Sequence, residues 1–70
     1  MQMAVADIKV VFEIIADEDG RWLVRLFKNI YGEHAEKREA RREALKAAAD
    51  AQRLGYEVEV WDRSEAKQLL

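Results

Sequence analysis

The chain has 70 residues, with no cysteine, no proline, one histidine and a net charge of −2. Its length fits a single domain over residues 1–70, near the smallest size that folds on one hydrophobic core. The missing cysteines exclude disulfides and thiolate metal sites, and the slightly acidic balance disfavours a dedicated nucleic-acid binder.

The first two elements form a predicted β-hairpin. Apolar and polar residues alternate in DIKVVFEIIAD, residues 7–17, where β-branched residues are frequent, and this pattern is typical of a strand. DEDG ends in Asp19 and Gly20, which together are the strongest short signal for a hairpin. We expect the second strand in RWLVRLFKN, residues 21–29.

The apolar period changes to that of a helix between His34 and Leu54. One stripe at helical spacing contains Ala40, Ala44, Ala47, Ala48, Ala51 and Leu54. Alanine favours the helix, and its small side chain lets a helix lie close to a sheet. Gly55 occupies the position where a left-handed residue often ends a helix.

Alternation returns in YEVEVWD, residues 56–62, which predicts a third strand. The following SEAKQLL is expected to form a short C-terminal helix capped by Asp62 or Ser64. The order indicates an α+β fold with two layers. In this ββαβ domain, one long helix covers one face of a three-stranded antiparallel sheet of strand order 2-1-3.

One face of this sheet is expected to pack against the alanine stripe of the helix. The opposite face carries the predicted partner-binding residues Val11, Ile15, Leu23, Phe27 and Trp61. A clustered apolar patch of this kind is typical of an interaction surface. Three occupants remain open: the C-terminal Leu69 and Leu70, a second copy packed on the face or along an edge strand, or another protein.

A basic side of the helix is the candidate nucleic-acid surface. It consists of Arg38, Arg42, Lys46 and Arg53, which are spaced to contact phosphates. Acidic residues at pairing distance, such as Glu43 before Lys46 and Asp50 before Arg53, equally fit an ordinary solvated helix face.

No pattern indicates catalysis, a metal or a cofactor. Ser64 follows the last strand and His34 opens the helix, so their spacing does not assemble a Ser–His–carboxylate unit. The acidic DEDG turn lacks the spaced oxygen ligands of a calcium loop. We therefore expect that the protein is not an enzyme.

Two motif sets resemble known families. FEIIADEDGRWLVRLF followed by REALKAAADA, within residues 12–51, resembles the front half of HicB-type antitoxins, although KNIYG stands where that family has LPG. This resemblance implies a small dimeric protein that blocks an RNA-cleaving toxin. GRWLV, REALKAAADAQ and VEVWDRSE resemble, in this order, small uncharacterised bacterial ββαβ domains, which implies the fold and no activity.

The combined expectation is a cytoplasmic, non-enzymatic protein-interaction module that forms a homodimer, with an antitoxin-like regulatory or inhibitory role. One alternative is a nucleic-acid-binding domain that uses the basic side of the helix. Another is a fold, natural or engineered, with no assigned function. No membrane partner is expected, because no segment approaches the ~20 apolar residues of a membrane span.

Overall fold

The computed structural model describes residues 8–70, so the start of the first predicted strand at Asp7 lies outside the described residues. The elements in chain order are β1 (Lys9–Ala16), β2 (Trp22–Leu26), β3 (Asn29–His34), α1 (Lys37–Arg53), β4 (Glu57–Asp62) and β5 (Lys67–Gln68). Over residues 8–70 the chain is a small α+β domain with one helix and one sheet, as the sequence predicts.

The sheet has five strands within residues 8–70, in the order β3-β2-β1-β4-β5, so the three-stranded prediction is wrong. The predicted 2-1-3 order is correct for the central strands β2, β1 and β4. The two edge strands are the additions, β3 with six residues and β5 with two. β3 forms in the segment that the sequence leaves between strand and helix, and β5 takes the place of the predicted C-terminal helix.

Strands β1 and β4 are parallel, with Phe12 opposite Val60, and the prediction of an all-antiparallel sheet is therefore wrong. The physical reason is β3. Because β2 is antiparallel to both β1 and β3, β3 runs in the direction of β1, and α1 then returns the chain so that β4 runs in that direction too. A helical crossover is the usual connection between parallel strands.

Helix α1 begins three residues later than predicted, because His34 is the last residue of β3 rather than the first of the helix. Leu54 caps the C-terminal end and is 77% exposed, so its assignment to the buried stripe is wrong. Gly55 has a φ of +97°, which confirms the left-handed position predicted for it.

The core lies between α1 and the sheet. Its buried apolar residues are Phe12, Ile14, Val24, Ala40, Ala44, Ala48 and Val60. The three alanines confirm the central part of the predicted stripe, and they succeed one another at about one helical turn. Because alanine is small, α1 lies directly on the three central strands.

Residues 63–66 form turns, so the predicted C-terminal helix is wrong. Asp62 still acts as a cap: its carboxylate accepts hydrogen bonds from the backbone N–H groups of Ser64 at 3.0 Å and Glu65 at 3.3 Å. Leu69 packs against the core on the helix side, so this leucine covers the core rather than the opposite sheet face.

Candidate interaction surface

Four of the five predicted partner-binding residues lie on strands, on the sheet face opposite α1, which we call the open face. Val11 and Ile15 alternate along β1 with the buried Phe12 and Ile14, so they point away from the helix. Leu23 lies opposite Ile15 on β2. These open-face side chains are half-buried rather than exposed, because neighbouring side chains on the same face cover part of each.

A row of ion pairs divides the open face. Glu13 lies in the middle of β1, where Arg25 Nε donates a hydrogen bond to one carboxylate oxygen at 2.8 Å and Arg63 Nε donates to the other at 2.6 Å. The hydrogen bond from Arg25, followed by that from Arg63, holds the pKa of Glu13 below its ordinary value, although burial acts in the opposite direction. These ion pairs lie between Val11 and Ile15, so they separate the apolar residues at the two ends of the open face.

Trp61 is held in place on the same face. Its indole Nε1 donates a hydrogen bond to Glu59 at 2.9 Å, and the guanidinium carbon of Arg63 lies 4.9 Å from the ring centroid. The hydrogen bond from Trp61, followed by that from Lys9, lowers the pKa of Glu59. The ring is therefore covered by charged neighbours and offers little free apolar area to a partner.

The exposed apolar side chains concentrate on the hairpin formed by β2 and β3. Phe27, Ile30 and Tyr31 are 57%, 54% and 51% exposed, and we call these three residues the hairpin surface. Phe27 has a φ of +57° in the two-residue turn between β2 and β3. Glycine or asparagine usually occupies such a position, and the left-handed backbone costs other residues about 1–2 kcal/mol.

Strand β3 forms one edge of the sheet, and within residues 8–70 it pairs with β2 alone. Gly32 and Ile30 lie opposite the consecutive residues Val24 and Arg25, so Tyr31 is the extra residue of a β-bulge. The bulge interrupts the alternation of side chains at the middle of the strand.

The bulge places apolar side chains on both faces of this edge. The Tyr31 ring lies on the helix side, with its centroid 5.7 Å from that of Phe12 and the two rings nearly perpendicular at 77°. Ile30 lies opposite Arg25 and shares the open face with it. At this edge, one exposed apolar side chain therefore lies on each face of the sheet.

A groove of about 370 Å³ lies beside β3 on the helix side. Its lining residues are His34, Glu39, Arg42, Glu43 and Lys46. His34 Nε2 is 2.7 Å from Glu43 Oε1. A Cβ on Gly32 would come within 1.8 Å of the same carboxylate oxygen. The absence of a side chain at Gly32 therefore makes room for the His34–Glu43 pair.

The four basic residues proposed for nucleic-acid binding do not form a free cationic stripe. Arg38 pairs with Glu36 at 2.9 Å, and Arg53 pairs with Asp50, which lies about one turn earlier in α1. Arg42 and Lys46 line the groove together with two carboxylates. Glu43 does not form the expected pair with Lys46; its carboxylate instead accepts a hydrogen bond from His34 Nε2.

Asp62 is a buried charge, only 4% exposed, at the end of β4. Burial by itself would raise its pKa, but hydrogen bonds from Lys37 and Ser64 outweigh burial and hold the pKa below its ordinary value. Lys37 Nζ lies 2.7 Å from Asp62 Oδ2 and 5.3 Å from the Trp22 ring centroid. This pair ties the start of α1 to the sheet.

The structure leaves the candidate catalytic groups apart. Ser64 Oγ donates to Asp62 at 2.6 Å, whereas His34 is bonded to Glu43 on another edge of the domain. Within residues 8–70, no three His, Cys, Asp or Glu residues lie close enough together to hold a metal ion. In the same part of the chain, no helix is long and apolar enough to cross a membrane.

Sequence reasoning missed Ile30 and Tyr31. The segment NIYGEH contains a β-branched residue beside an aromatic one, which is a strand signal. The bulge at Tyr31 and the glycine that follows it break the period of two, so the segment resembles a loop.

Comparison with known proteins found no match among protein-family models, curated proteins or solved structures. The two resemblances drawn from the sequence therefore stay predictions.

Proposed function

We propose that this chain is a non-enzymatic protein-interaction module that forms a homodimer through the hairpin surface, with β3 paired antiparallel to β3 of a second copy. The observation that carries the proposal is the exposure of Phe27, Ile30 and Tyr31 on an edge strand and its turn. An edge strand offers unpaired backbone groups, and apolar side chains beside them favour the addition of another strand.

The open face is the less favourable surface for a partner. Its apolar side chains are already half-buried. A partner placed over it would also remove water from the ion pairs that Glu13 forms with Arg25 and Arg63. The desolvation of paired charges often costs more than their mutual attraction returns. The hairpin surface carries less of this cost, because Phe27, Ile30 and Tyr31 are apolar and the one ion pair beside them, Arg21–Glu33 at 3.3 Å, joins exposed side chains.

A second copy fits because antiparallel, edge-to-edge pairing of β3 with itself places side chains of the same sheet face opposite one another. Ile30 and Glu33 lie on the open face, whereas Tyr31 and Gly32 lie on the helix side. An antiparallel pairing with Ile30 opposite Glu33 of the second copy also places Tyr31 opposite Gly32. Every opposed pair then shares a face of the sheet. In this two-fold arrangement, both helices cover the same side of one continuous sheet.

The dimer is expected to be weak. β3 contributes six residues from each copy, whereas a standard stable interface uses about 20–30 residues from each side. The chain's net charge of −2 adds little repulsion between copies. We therefore expect reversible association with a dissociation constant in the micromolar range or above.

Sedimentation equilibrium of the full chain, from about 10 µM to about 1 mM, tests this proposal. The average mass of the wild type should rise from monomer towards dimer. Ile30→Ser and Tyr31→Ser should each weaken association by at least about tenfold, because each removes an exposed apolar contact at the interface. Leu54→Ser is the matched control, since Leu54 is also exposed but lies at the end of α1.

A monomeric wild type over the whole concentration range would overturn the proposal. Dimerisation that Leu23→Ser or Trp61→Ser weakens, and that the hairpin variants leave unchanged, would assign the interface to the open face instead. A monomer that binds nucleic acid, and loses this binding in Arg42→Glu and Lys46→Glu variants, would favour the nucleic-acid alternative.

A further inference from the structure

A cleft of about 290 Å³ lies between the start of α1 and the β4–β5 hairpin. It is at the opposite edge of the sheet from β3, so any role of this cleft is separate from the proposed dimer. Its charged lining consists of Lys37, Arg38, Arg41, Asp62, Glu65 and Lys67. Leu69 supplies the apolar part of its wall.

The cleft is positively charged although the chain is not. Four basic and two acidic residues line it, which gives a local charge of 4 − 2 = +2, or +1 when Glu36, the partner of Arg38, is included, against −2 for the whole chain. Lys37 pairs with both acidic residues, at 2.7 Å to Asp62 and 2.5 Å to Glu65. Among the described residues, Arg41 and Lys67 have no carboxylate oxygen within 4.0 Å.

The size and walls of the cleft limit the ligand. Small-molecule pockets usually enclose about 300–1,000 Å³, so this cleft accommodates one anionic group with a few attached carbon atoms. Leu69 packs against the core and therefore offers a fixed apolar contact for those carbons. Arg41 can bind two oxygens of one anion at once, and Lys67 adds a second positive charge.

We propose that this cleft binds the phosphate group of a phosphomonoester, with Arg41 and Lys67 as the residues that contact the phosphate. A phosphomonoester carries a charge of about −1.5 to −2 at neutral pH, which matches the two uncompensated cations better than the single charge of a carboxylate does. Leu69 contacts the carbon next to the ester oxygen.

The test is a titration of the full, isotope-labelled chain followed by amide NMR, at constant ionic strength set with sodium chloride. The probes are inorganic phosphate, glycerol 3-phosphate and a short phosphoserine peptide. We expect saturable shifts at the amides of Arg41, Lys67 and Leu69. Tighter binding of glycerol 3-phosphate would indicate a small phosphorylated metabolite as the ligand. Tighter binding of the phosphoserine peptide would indicate a phosphorylated protein.

The double variant Arg41→Ala with Lys67→Ala should lose at least about tenfold in affinity for phosphate, because it removes two charged hydrogen-bond donors. Arg42→Ala with Lys46→Ala is the matched control: it removes the same charge from the groove beside β3 and should change the affinity by less than about twofold. An equal loss in both double variants, or no saturable shift with any of the three probes, would overturn the proposal.

Discussion

Replacing Gly32 by alanine tests the packing of α1 on the edge strand. The added methyl group would meet Glu43 Oε1 at 1.8 Å and Glu43 Cδ at 2.6 Å. The backbone itself does not oppose the substitution, because Gly32 is not among the residues with positive φ. The Glu43 side chain must therefore swing away and give up its 2.7 Å contact with His34.

Two opposing contributions set the expected change in the free energy of unfolding. Loss of the Glu43–His34 hydrogen bond costs about 0.5–1.5 kcal/mol. Replacing glycine where the backbone accepts alanine stabilises the fold by about 0.4–1 kcal/mol, because the unfolded chain has less freedom. Gly32→Ala should therefore lie between a destabilisation of about 1 kcal/mol and a slight stabilisation.

The Glu43→Ala background isolates the steric contribution. With the carboxylate removed, Gly32→Ala should become stabilising by about 0.4–1 kcal/mol. The double-mutant cycle should then give a coupling energy of about 0.5–1.5 kcal/mol between the two positions. Urea unfolding of the four proteins at one low concentration measures all of these values, and the low concentration keeps association out of the comparison.

Gly20→Ala is the control for this cycle. Gly20 has a φ of +87° with nothing within 4 Å of an added Cβ, so alanine there should cost about 1–2 kcal/mol through the backbone alone. That cost should be the same with and without the Glu43 carboxylate. An equal change in stability for Gly32→Ala in both backgrounds would contradict a clash between the added methyl group and the Glu43 carboxylate.

Three further variants test separate parts of the account. The pKa of Glu13 is lowered in the fold, chiefly by the hydrogen bond from Arg25. Its contribution to stability is therefore fully present above its unfolded pKa of about 4.5 and is lost as the pH falls below that value through the lower pKa of the folded state. Urea unfolding of Glu13→Gln should accordingly show less acid destabilisation than the wild type. Asp62→Asn should lower the free energy of unfolding by about 1.5–3 kcal/mol, because a buried partner of a lysine loses its charge, whereas the exposed Asp50→Asn should cost less than about 0.5 kcal/mol. Phe27→Gly should raise the thermal midpoint of the monomer by relieving about 1–2 kcal/mol of backbone strain, yet weaken dimerisation in the same sedimentation assay.

Local patterns account for the parts of the fold that the sequence predicts. The β1–β2 hairpin follows from alternating residues on both sides of Asp19 and Gly20, so no distant contact is needed to recognise it. The alanine stripe of α1 carries its own period. The same elements supply most of the buried core residues, because their apolar residues recur on one face without interruption.

The errors in topology have one physical source. β3 contains a bulge at Tyr31 and a glycine at position 32, and together they remove the alternation that marks a strand. A prediction that omits β3 has one reversal of chain direction too few. It therefore gives β4 the wrong direction relative to β1. β5 is only two residues long and has no period to detect.

The candidate surface could be predicted only in part. Alternation along β1 correctly places Val11 and Ile15 on the face away from the helix. It does not show that Arg63, fifty residues along the chain, reaches back to Glu13 and divides this face. Ile30 and Tyr31 depend on the missed strand, so the sequence could not indicate that the exposed apolar residues gather at the edge.

In the proposed homodimer β3 pairs with β3 of a second copy, and the distance between two identical labels, one on each copy, measures this pairing. The chain has no cysteine, so Lys28→Cys provides one nitroxide site per copy for pulsed electron paramagnetic resonance. In the proposed pairing, position 28 lies opposite position 35. Because the bulge at Tyr31 takes up one of the seven intervening steps, about six steps of 3.4 Å place the two labelled backbones roughly 20 Å apart. A narrow distance distribution near this value is the predicted result. A sample that sediments as a dimer but shows no coupling near this distance would contradict the account.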